Sequence, residues 1–108
     1  MSSDRLVVVA LATAQSGKEQ ELSDRLAHVA RESWKEAGVV SYAVHDLVGS
    51  HGQFMMVEVY ENQSAFDAHL NTEHVKTIIA DLPSLVDGEL LVHQGTASPF
   101  SEGEKGRL

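Results

Sequence analysis

Residues 39–60 read VVSYAVHDLVGSHGQFMMVEVY, and this pattern organises the whole chain. Two segments rich in β-branched and aromatic residues, Val39 to Val48 and Gln53 to Tyr60, flank the turn-forming sequence Gly49-Ser50-His51-Gly52. A gap of this length and composition predicts an antiparallel hairpin. We therefore expect the second and third strands of the domain to be neighbours in one sheet.

The segments before the hairpin predict one strand and one helix. Residues Leu6 to Ala12 are continuously apolar and largely β-branched, as in a strand that is buried on both faces. From Lys18 to Ala37 apolar residues recur at helical spacing between charged ones. This pattern predicts an amphipathic helix that is capped by Ser16 and ended by Gly38.

A second helical region follows the hairpin. Asn62 or Ser64 can cap a helix that runs through Leu70. Asn71 and Thr72 interrupt the pattern, and Thr72 can restart a helix that Pro83 is expected to stop. The second helix of the domain is therefore predicted in two pieces.

The last predicted strand covers Glu89 to Thr96, and a polar, glycine-bearing stretch follows it. The elements then alternate as strand, helix, strand, strand, helix, strand, which predicts an α+β class domain, ferredoxin-like βαββαβ, with a four-stranded antiparallel sheet. We expect one domain over residues 1–97 and a flexible C-terminal tail over 98–108.

Composition limits the class of partner. The 108 residues carry 16 acidic and 8 basic side chains, a formal charge of −8 that would repel nucleic acid or an anionic membrane surface. The apolar run Leu6 to Ala12 is too short to cross a membrane and lacks the flanks of a signal peptide. There is no cysteine, so thiolate chemistry and disulfides are excluded. A cytoplasmic protein is the default expectation.

The strands are apolar on both faces, although two helices can cover only one of them. Strand one is apolar at both parities, and strand two places Val40, Tyr42 and Val44 on one face. Strand three has Phe54 and Met56 on one face against Met55, Val57 and Val59 on the other. A bare sheet face would expose more apolar surface than monomers usually do. We therefore expect a homodimer that packs sheet against sheet.

The segment from Glu58 to His69, reading EVYENQSAFDAH, and the following Thr72-Glu73-His74 resemble the signature of the antibiotic biosynthesis monooxygenase family. In that family a strand ending in Glu-x-aromatic leads into a helix carrying His, with a second His five residues later. Upstream, the resemblance extends through Gly17-Lys18 and the first helix. The stretch from Glu36 to Tyr42 is similar to the family's acidic-x-Gly, which is followed by a strand with Tyr. The resemblance covers about residues 6 to 96.

This resemblance implies a dimeric ferredoxin-like barrel with a pocket between the sheet and the helices of each subunit. Many relatives oxygenate quinols or polyketide aromatics without metal or flavin. An electron-rich phenolate supplies the reducing power, so the protein needs an apolar pocket and one or two bases. The expected partners are therefore a second copy, a small aromatic substrate and O2, with no cofactor.

The candidate catalytic residues are His69, His74 and Glu58. Histidine suits removal of a phenolic proton near neutral pH, and Glu58 among apolar neighbours would have a raised pKa. Each also has a structural alternative: helix packing for His69, a solvated helix start or a dimer contact for His74, and a structural hydrogen bond for Glu58.

Candidate substrate-binding residues are the aromatic side chains Tyr42, Tyr60, Trp34 and Phe66, because flat rings stack on flat rings. For each, packing in the core is the simpler alternative. A metal site is disfavoured from sequence, since residues five apart such as His69 and His74 would point about 140° apart on a continuous helix.

Three other functions stay open. Haem-degrading relatives carry an Asn in strand one and a Trp in the second helix, and this chain has neither, which disfavours haem breakdown. Relatives that isomerise small phosphorylated carbonyl compounds need cationic groups in the pocket, where only Lys76 lies near the motif. A non-catalytic dimer that binds a small molecule or acts in stress responses is the third alternative.

Overall fold

The computed structural model describes residues 5–108. Its helices and strands follow in the order β1 (Leu6–Thr13), α1 (Glu19–Ser33), β2 (Val39–Asp46), β3 (Gln53–Tyr60), α2 (Gln63–Leu70), α3 (Glu73–Leu85) and β4 (Leu91–Gly95). The predicted α+β fold is confirmed, with the second helical connection divided into α2 and α3.

The four strands form one antiparallel sheet in the order β2-β3-β1-β4. Strands β2 and β3 pair as the predicted hairpin, from Val39 opposite Tyr60 to Asp46 opposite Phe54, with a register shift between Val39 and Ser41. Strands β1 and β3 lie in the centre of the sheet, where they are the strands most shielded from solvent.

All three helices cover the same face of the sheet. On β1 the residues Val8, Ala10 and Ala12 are buried beneath the helices, while alternate residues are only half-buried. Helix α1 contributes its apolar stripe, including Leu22 and Leu26, to this core. Every second residue of the strand and the apolar residues that recur about every 3.6 positions along the helix therefore pack against each other in one core layer.

The opposite sheet face carries an apolar band without a helix over it. Val9 pairs with Val57 and Leu11 with Met55 across β1 and β3, and these four side chains are half-exposed in the single chain. Against water such a band would be costly. The homodimer remains a prediction, and this face is where the second copy would pack.

Helix α1 is shorter than predicted at both ends. It starts at Glu19 after an N-cap at Lys18 rather than Ser16, and it ends at Ser33 rather than near Gly38. The Ser33 hydroxyl donates to the carbonyl of Val29, a bond that competes with the regular helix. The chain then continues in tight turns, which decides where the following Glu36 lies.

The predicted start of α2 agrees with the structure, whereas the predicted end of α3 does not. Asn62 caps α2 as predicted, because its side-chain oxygen accepts from the backbone N–H of Ala65 at 2.9 Å. The prediction that Pro83 stops the helix was wrong: α3 runs on to Leu85 with Pro83 inside its last turn. Pro83 has no backbone N–H, so the helix lacks the hydrogen bond that this residue would otherwise donate to the carbonyl of Ile79.

Residues after β4 form turns and bends but no helix or strand. The carbonyl of Leu108 accepts a hydrogen bond from Arg5 at 3.2 Å, so the end of the chain returns to the start of β1. The flexibility of residues 98–108 and the domain boundary at 97 remain predictions. Within residues 5–108, none of the helices has the length and apolar character needed to cross a membrane.

Candidate active site

An apolar cavity of about 140 Å³ lies between the sheet and the three helices. Its walls come from β1, β3, β2, β4 and all three helices, and its polar groups are few. The residues of the cavity wall that carry polar side-chain atoms are Tyr42, Glu58 and His69. This is the architecture of a small-molecule site, a largely apolar space with a small number of placed polar groups.

A carboxylate and two imidazoles meet beside this cavity. One oxygen of Glu36, Oε2, lies 2.9 Å from Nδ1 of His69 and 2.8 Å from Nε2 of His74. The His69 side chain is 4% exposed, whereas those of Glu36 and His74 are 16% and 13% exposed. The group therefore runs from the cavity wall at His69 to the protein surface at His74.

The break between α2 and α3 brings the two histidines together. Helix α2 ends at Leu70 and α3 begins at Glu73, so the continuous helix assumed for the five-residue spacing does not exist. At the break, the hydroxyl of Thr72 donates to the carbonyl of His69 at 2.7 Å and lies 3.2 Å from Nε2 of His74. Both rings consequently point to the same oxygen of Glu36.

The position of Glu36 depends on the early end of α1 and on Gly38. After α1 the chain makes bonds that span three residues, Glu36 N–H to Ser33 and Val39 N–H to Glu36. A Cβ on Gly38 would lie 2.5 Å from Cβ of Ala65, so only glycine lets this segment approach α2 so closely. The approach presents the Glu36 carboxylate to the α2–α3 break.

His69 has one nitrogen committed and one available. Nδ1 contacts Glu36, and no described residue hydrogen-bonds Nε2. Every fully buried polar side-chain atom of the described residues has a partner, so Nε2 retains some accessible surface, and His69 is a residue of the cavity wall. A ring that donates Nδ1–H to a carboxylate keeps its lone pair on Nε2.

Burial lowers the pKa of His69, and the Glu36 carboxylate, which favours the protonated ring, offsets only part of that effect. The neutral ring is therefore the dominant form near pH 7. In that form Nε2 can accept a proton, and the ring that carries it lines an apolar cavity.

Glu58 is a second titratable group in the cavity wall. It is 5% exposed, and its Oε1 accepts a hydrogen bond from the Tyr60 hydroxyl at 2.5 Å. Burial raises the pKa of Glu58 to about 7, although the bond from Tyr60 works in the opposite direction. Glu58 can thus hold a proton at neutral pH and donate it.

The aromatic residues of the site form a shell around His69. Ring centroids of Tyr42, Tyr60 and Phe66 lie 5.6, 5.2 and 6.3 Å from that of His69. Burial and the nearby Glu58 raise the pKa of Tyr42, so its hydroxyl stays protonated. No described residue hydrogen-bonds this hydroxyl, which leaves Tyr42 as a neutral donor toward the cavity.

Not all predicted site residues line the cavity. Trp34 was predicted to contact substrate, but it is 62% exposed and its indole N–H donates to the carbonyl of Tyr42 on edge strand β2. Tyr60 is fully buried behind Glu58, and His74 lies on the surface side of Glu36. Of the predicted residues, Tyr42, Glu58, Phe66 and His69 are in the cavity wall.

Glu36 was not predicted as a functional residue, although it is the centre of the polar group. Its only sequence signal was membership of the segment Glu36-Ala37-Gly38, whose glycine marks a close backbone approach. The pairing of Glu36 with histidines 33 and 38 residues away is a tertiary contact without any local pattern.

The arrangement combines a base with two acids in an apolar space. His69 can accept a proton at Nε2, Glu58 can donate one near neutral pH, and Tyr42 can donate a hydrogen bond without ionising. Environments that separate the pKa values of two titratable groups in one site set up acid and base roles. The fold and the site together define a ferredoxin-like α+β domain with an apolar cavity whose wall carries a few titratable side chains.

Comparison with known proteins gives the family. The sequence profile described as antibiotic biosynthesis monooxygenase matches residues 5–81, which is more than half of the chain. The chain belongs to the antibiotic biosynthesis monooxygenase family. The comparison with curated proteins found no match.

Solved structures share the fold along nearly the whole chain. PA3566 from Pseudomonas aeruginosa is 26% identical with a TM-score of 0.83, over 89% of this chain and 96% of its own. SO0527 from Shewanella oneidensis is 23% identical with a TM-score of 0.82, over 87% and 91%. Rv0793 from Mycobacterium tuberculosis is 20% identical with a TM-score of 0.83, over 93% and 99%. The last two similarities establish the fold alone.

Proposed function

We propose that this protein is a cofactor-independent monooxygenase that oxidises a small hydroquinone or related phenol with O2. The observation that carries the proposal is the placement of His69, whose ring lines an apolar cavity while Glu36 holds Nδ1 and Nε2 has no partner among the described residues. Membership of the family supports a monooxygenase-type function in general, without a particular substrate. The substrate class and the residue roles are our inference from the cavity.

The reaction balances without an external reductant. A hydroquinone and one O2 yield a hydroxyquinone and one water, so that the substrate supplies all four electrons that reduce O2. Removal of a phenolic proton makes the ring electron-rich enough to react with O2, and this is the step that needs a base. His69 Nε2 takes that proton, and Glu36 stabilises the imidazolium that forms.

The second proton transfer falls to Glu58. Once oxygen is attached to the ring, cleavage of the O–O bond requires a proton on the oxygen that leaves as water. Glu58, with a pKa of about 7, is protonated in a large fraction of molecules at neutral pH. Tyr42 can hydrogen-bond a substrate oxygen throughout, and the apolar wall keeps bulk water from the intermediates.

The size of the cavity limits the substrate. A dry cavity of about 150 Å³ in another protein accommodates benzene, and the cavity here measures about 140 Å³. The single chain therefore has room for one substituted ring. Three-ring polyketide anthrones would require the walls to open.

The cavity wall disfavours the phosphorylated carbonyl alternative. Its residues in the described part of the chain include no lysine or arginine, so a phosphate would lack a counter-charge. A non-catalytic protein that binds a small molecule would not require this placement of His69. An activity measurement therefore distinguishes this alternative from the proposed monooxygenase.

The test is oxygen consumption by chelator-treated protein with a panel of one-ring and two-ring hydroquinones, corrected for autoxidation in buffer. We expect turnover with at least one of them, and incorporation of one atom from ¹⁸O2 into the product. His69→Gln should lower kcat by about 100-fold or more, the usual contribution of a general base. Glu36→Gln should lower it by at least about tenfold, since the ring orientation is lost.

A matched control is His51→Ala, in the exposed turn between β2 and β3. It should leave the rate unchanged. Absence of oxygen uptake above the buffer rate for the whole panel would contradict the proposal, as would full activity of His69→Gln.

The predicted homodimer belongs to the same proposal. The apolar band of Val9, Leu11, Met55 and Val57 faces away from the helices and is half-exposed in one chain. Packing a second copy on this face would bury the band and leave each cavity on the outer side of its own sheet. No residue named above is then needed from the partner.

A further inference from the structure

We propose that Glu36, His69 and His74 also form a binding site for a divalent transition metal ion, with Zn²⁺ as the reference case. One ligand atom from each residue lies within 4.8 Å of the other two. Two imidazole nitrogens and one carboxylate oxygen are a donor set that holds zinc in metalloenzymes, with further positions left for water. The residues come from three separate segments, so the group is assembled by the fold.

The geometry requires only small side-chain movements. Ligand atoms at about 2.0 to 2.2 Å from a tetrahedral zinc ion lie roughly 3.3 Å from one another. Here Oε2 of Glu36 is 2.9 Å from Nδ1 of His69 and 2.8 Å from Nε2 of His74. Each nitrogen would therefore move about 0.5 Å away from the oxygen. The two nitrogens, which lie within 4.8 Å of each other, would move at most about 1.5 Å closer together.

A metal ion can reach the site from the surface. The side chains of Glu36 and His74 are 16% and 13% exposed, so the group is open on the side away from the cavity. A surface groove beside His74 is also bordered by Glu32 and Glu73. These carboxylates and the formal charge of −8 favour the approach of a cation.

Metal binding would exclude the use of His69 as a base, a consequence that rests on the proposed function. A neutral imidazole carries one ring proton, and a metal ion on Nδ1 requires the lone pair there. The proton must then sit on Nε2, the atom that the proposed function assigns as the base. A ring with N–H at that position has no lone pair with which to accept a phenolic proton. The site would therefore act as an inhibitory metal site.

The primary test is calorimetric titration of ZnCl2 into chelator-treated full-length protein at pH 7.5, with Glu36→Gln and His74→Ala as variants. We expect one ion per chain, and affinity at least about tenfold weaker in each variant, because loss of outer-shell partners alone costs 10- to 100-fold. His51→Ala is the matched control and should bind as the wild type does. Absence of binding by wild type, or equal affinity in all four proteins, would overturn the proposal.

A second measurement does not depend on the variants folding. Co²⁺ added to wild type should give visible absorption bands typical of four or five coordination by nitrogen and oxygen, and stoichiometric Zn²⁺ should remove them. A spectrum identical to that of aqueous Co²⁺ would contradict the site.

The inhibitory role is tested apart from binding. In a preparation that oxidises a hydroquinone, redox-inert Zn²⁺ should inhibit over the concentration range in which it binds, and full activity of zinc-saturated protein would refute this role. If no hydroquinone is oxidised, the proposed function fails, while the calorimetric and Co²⁺ results still decide the metal site.

Discussion

Replacement of Glu58 by glutamine should change how stability depends on pH. In the folded protein Glu58 has a pKa of about 7 rather than its ordinary 4.5, because the carboxyl is buried. Each pKa unit corresponds to about 1.4 kcal/mol, so ionisation of Glu58 costs the folded state about 3 kcal/mol in all. This is an order-of-magnitude value for a side chain that water barely reaches.

The sign of the effect follows from proton binding. Between pH 4.5 and 7 the folded chain holds a proton on Glu58 that the unfolded chain has lost, so the free energy of unfolding falls as the pH rises through this range. Below this range both states are protonated and the cost is absent. Above pH 7 both are ionised and the full cost applies. Glutamine cannot ionise, yet its oxygen can still accept the hydrogen bond from Tyr60.

The assay is urea unfolding of wild type and Glu58→Gln at matched protein concentration, at several values from pH 5 to pH 8. The difference between the two free energies of unfolding should shift by about 2 to 3 kcal/mol in favour of the variant over that range, with most of the change below pH 7. Other titrating groups contribute equally to both proteins and cancel. A difference that stays constant within about 0.5 kcal/mol would show that Glu58 has an ordinary pKa and would remove it as a proton donor.

Three further outcomes are expected. Gly38→Ala should destabilise the protein by about 1 to 3 kcal/mol in urea unfolding, since the new Cβ would lie 2.5 Å from that of Ala65; the added change Ala65→Gly should recover part of the loss, and an additive effect would contradict the contact. Val57→Glu should convert a dimer to a monomer in sedimentation velocity, because a charge would enter the apolar sheet face; an unchanged sedimentation coefficient would exclude that face as the interface. Asn62→Ala should cost about 1 kcal/mol, the usual value of an N-cap, whereas unchanged urea unfolding would show that the bond to Ala65 contributes nothing.

Much of the fold could be predicted because its signals are local. The hairpin follows from two β-rich segments around Gly49-Ser50-His51-Gly52, and the cap of α2 follows from Asn62. The errors are at helix ends. Helix α1 ends at Ser33, whose hydroxyl donates to the carbonyl of Val29, and α3 continues past Pro83 to Leu85. Those outcomes depend on which backbone groups find other partners, and a periodic pattern does not contain that information.

For the site, the residue types could be predicted but their grouping could not. His69 was predicted because it follows the core residue Phe66 by three positions and because histidine suits removal of a proton near neutral pH. Glu58 was predicted because a carboxyl among apolar residues implies a raised pKa. Trp34 attracted attention as the single tryptophan, yet it lies on the surface beside β2. Glu36 was not predicted as a site residue, because its role arises only when the loop after α1 packs against the α2–α3 break.

The amino-acid sequence by itself determined the order of strands and helices and the shared sheet, because hydrophobic periodicity and turn residues act over a few positions along the chain. The family followed from the resemblance of the motifs between Glu58 and His74, and the profile match confirms it. Only the tertiary structure decided that His69 and His74 meet on one oxygen of Glu36 and that His69 lines the cavity. The physical reason is that hydrogen bonds and burial act between groups close in space, and here those groups are separated by more than thirty residues of chain.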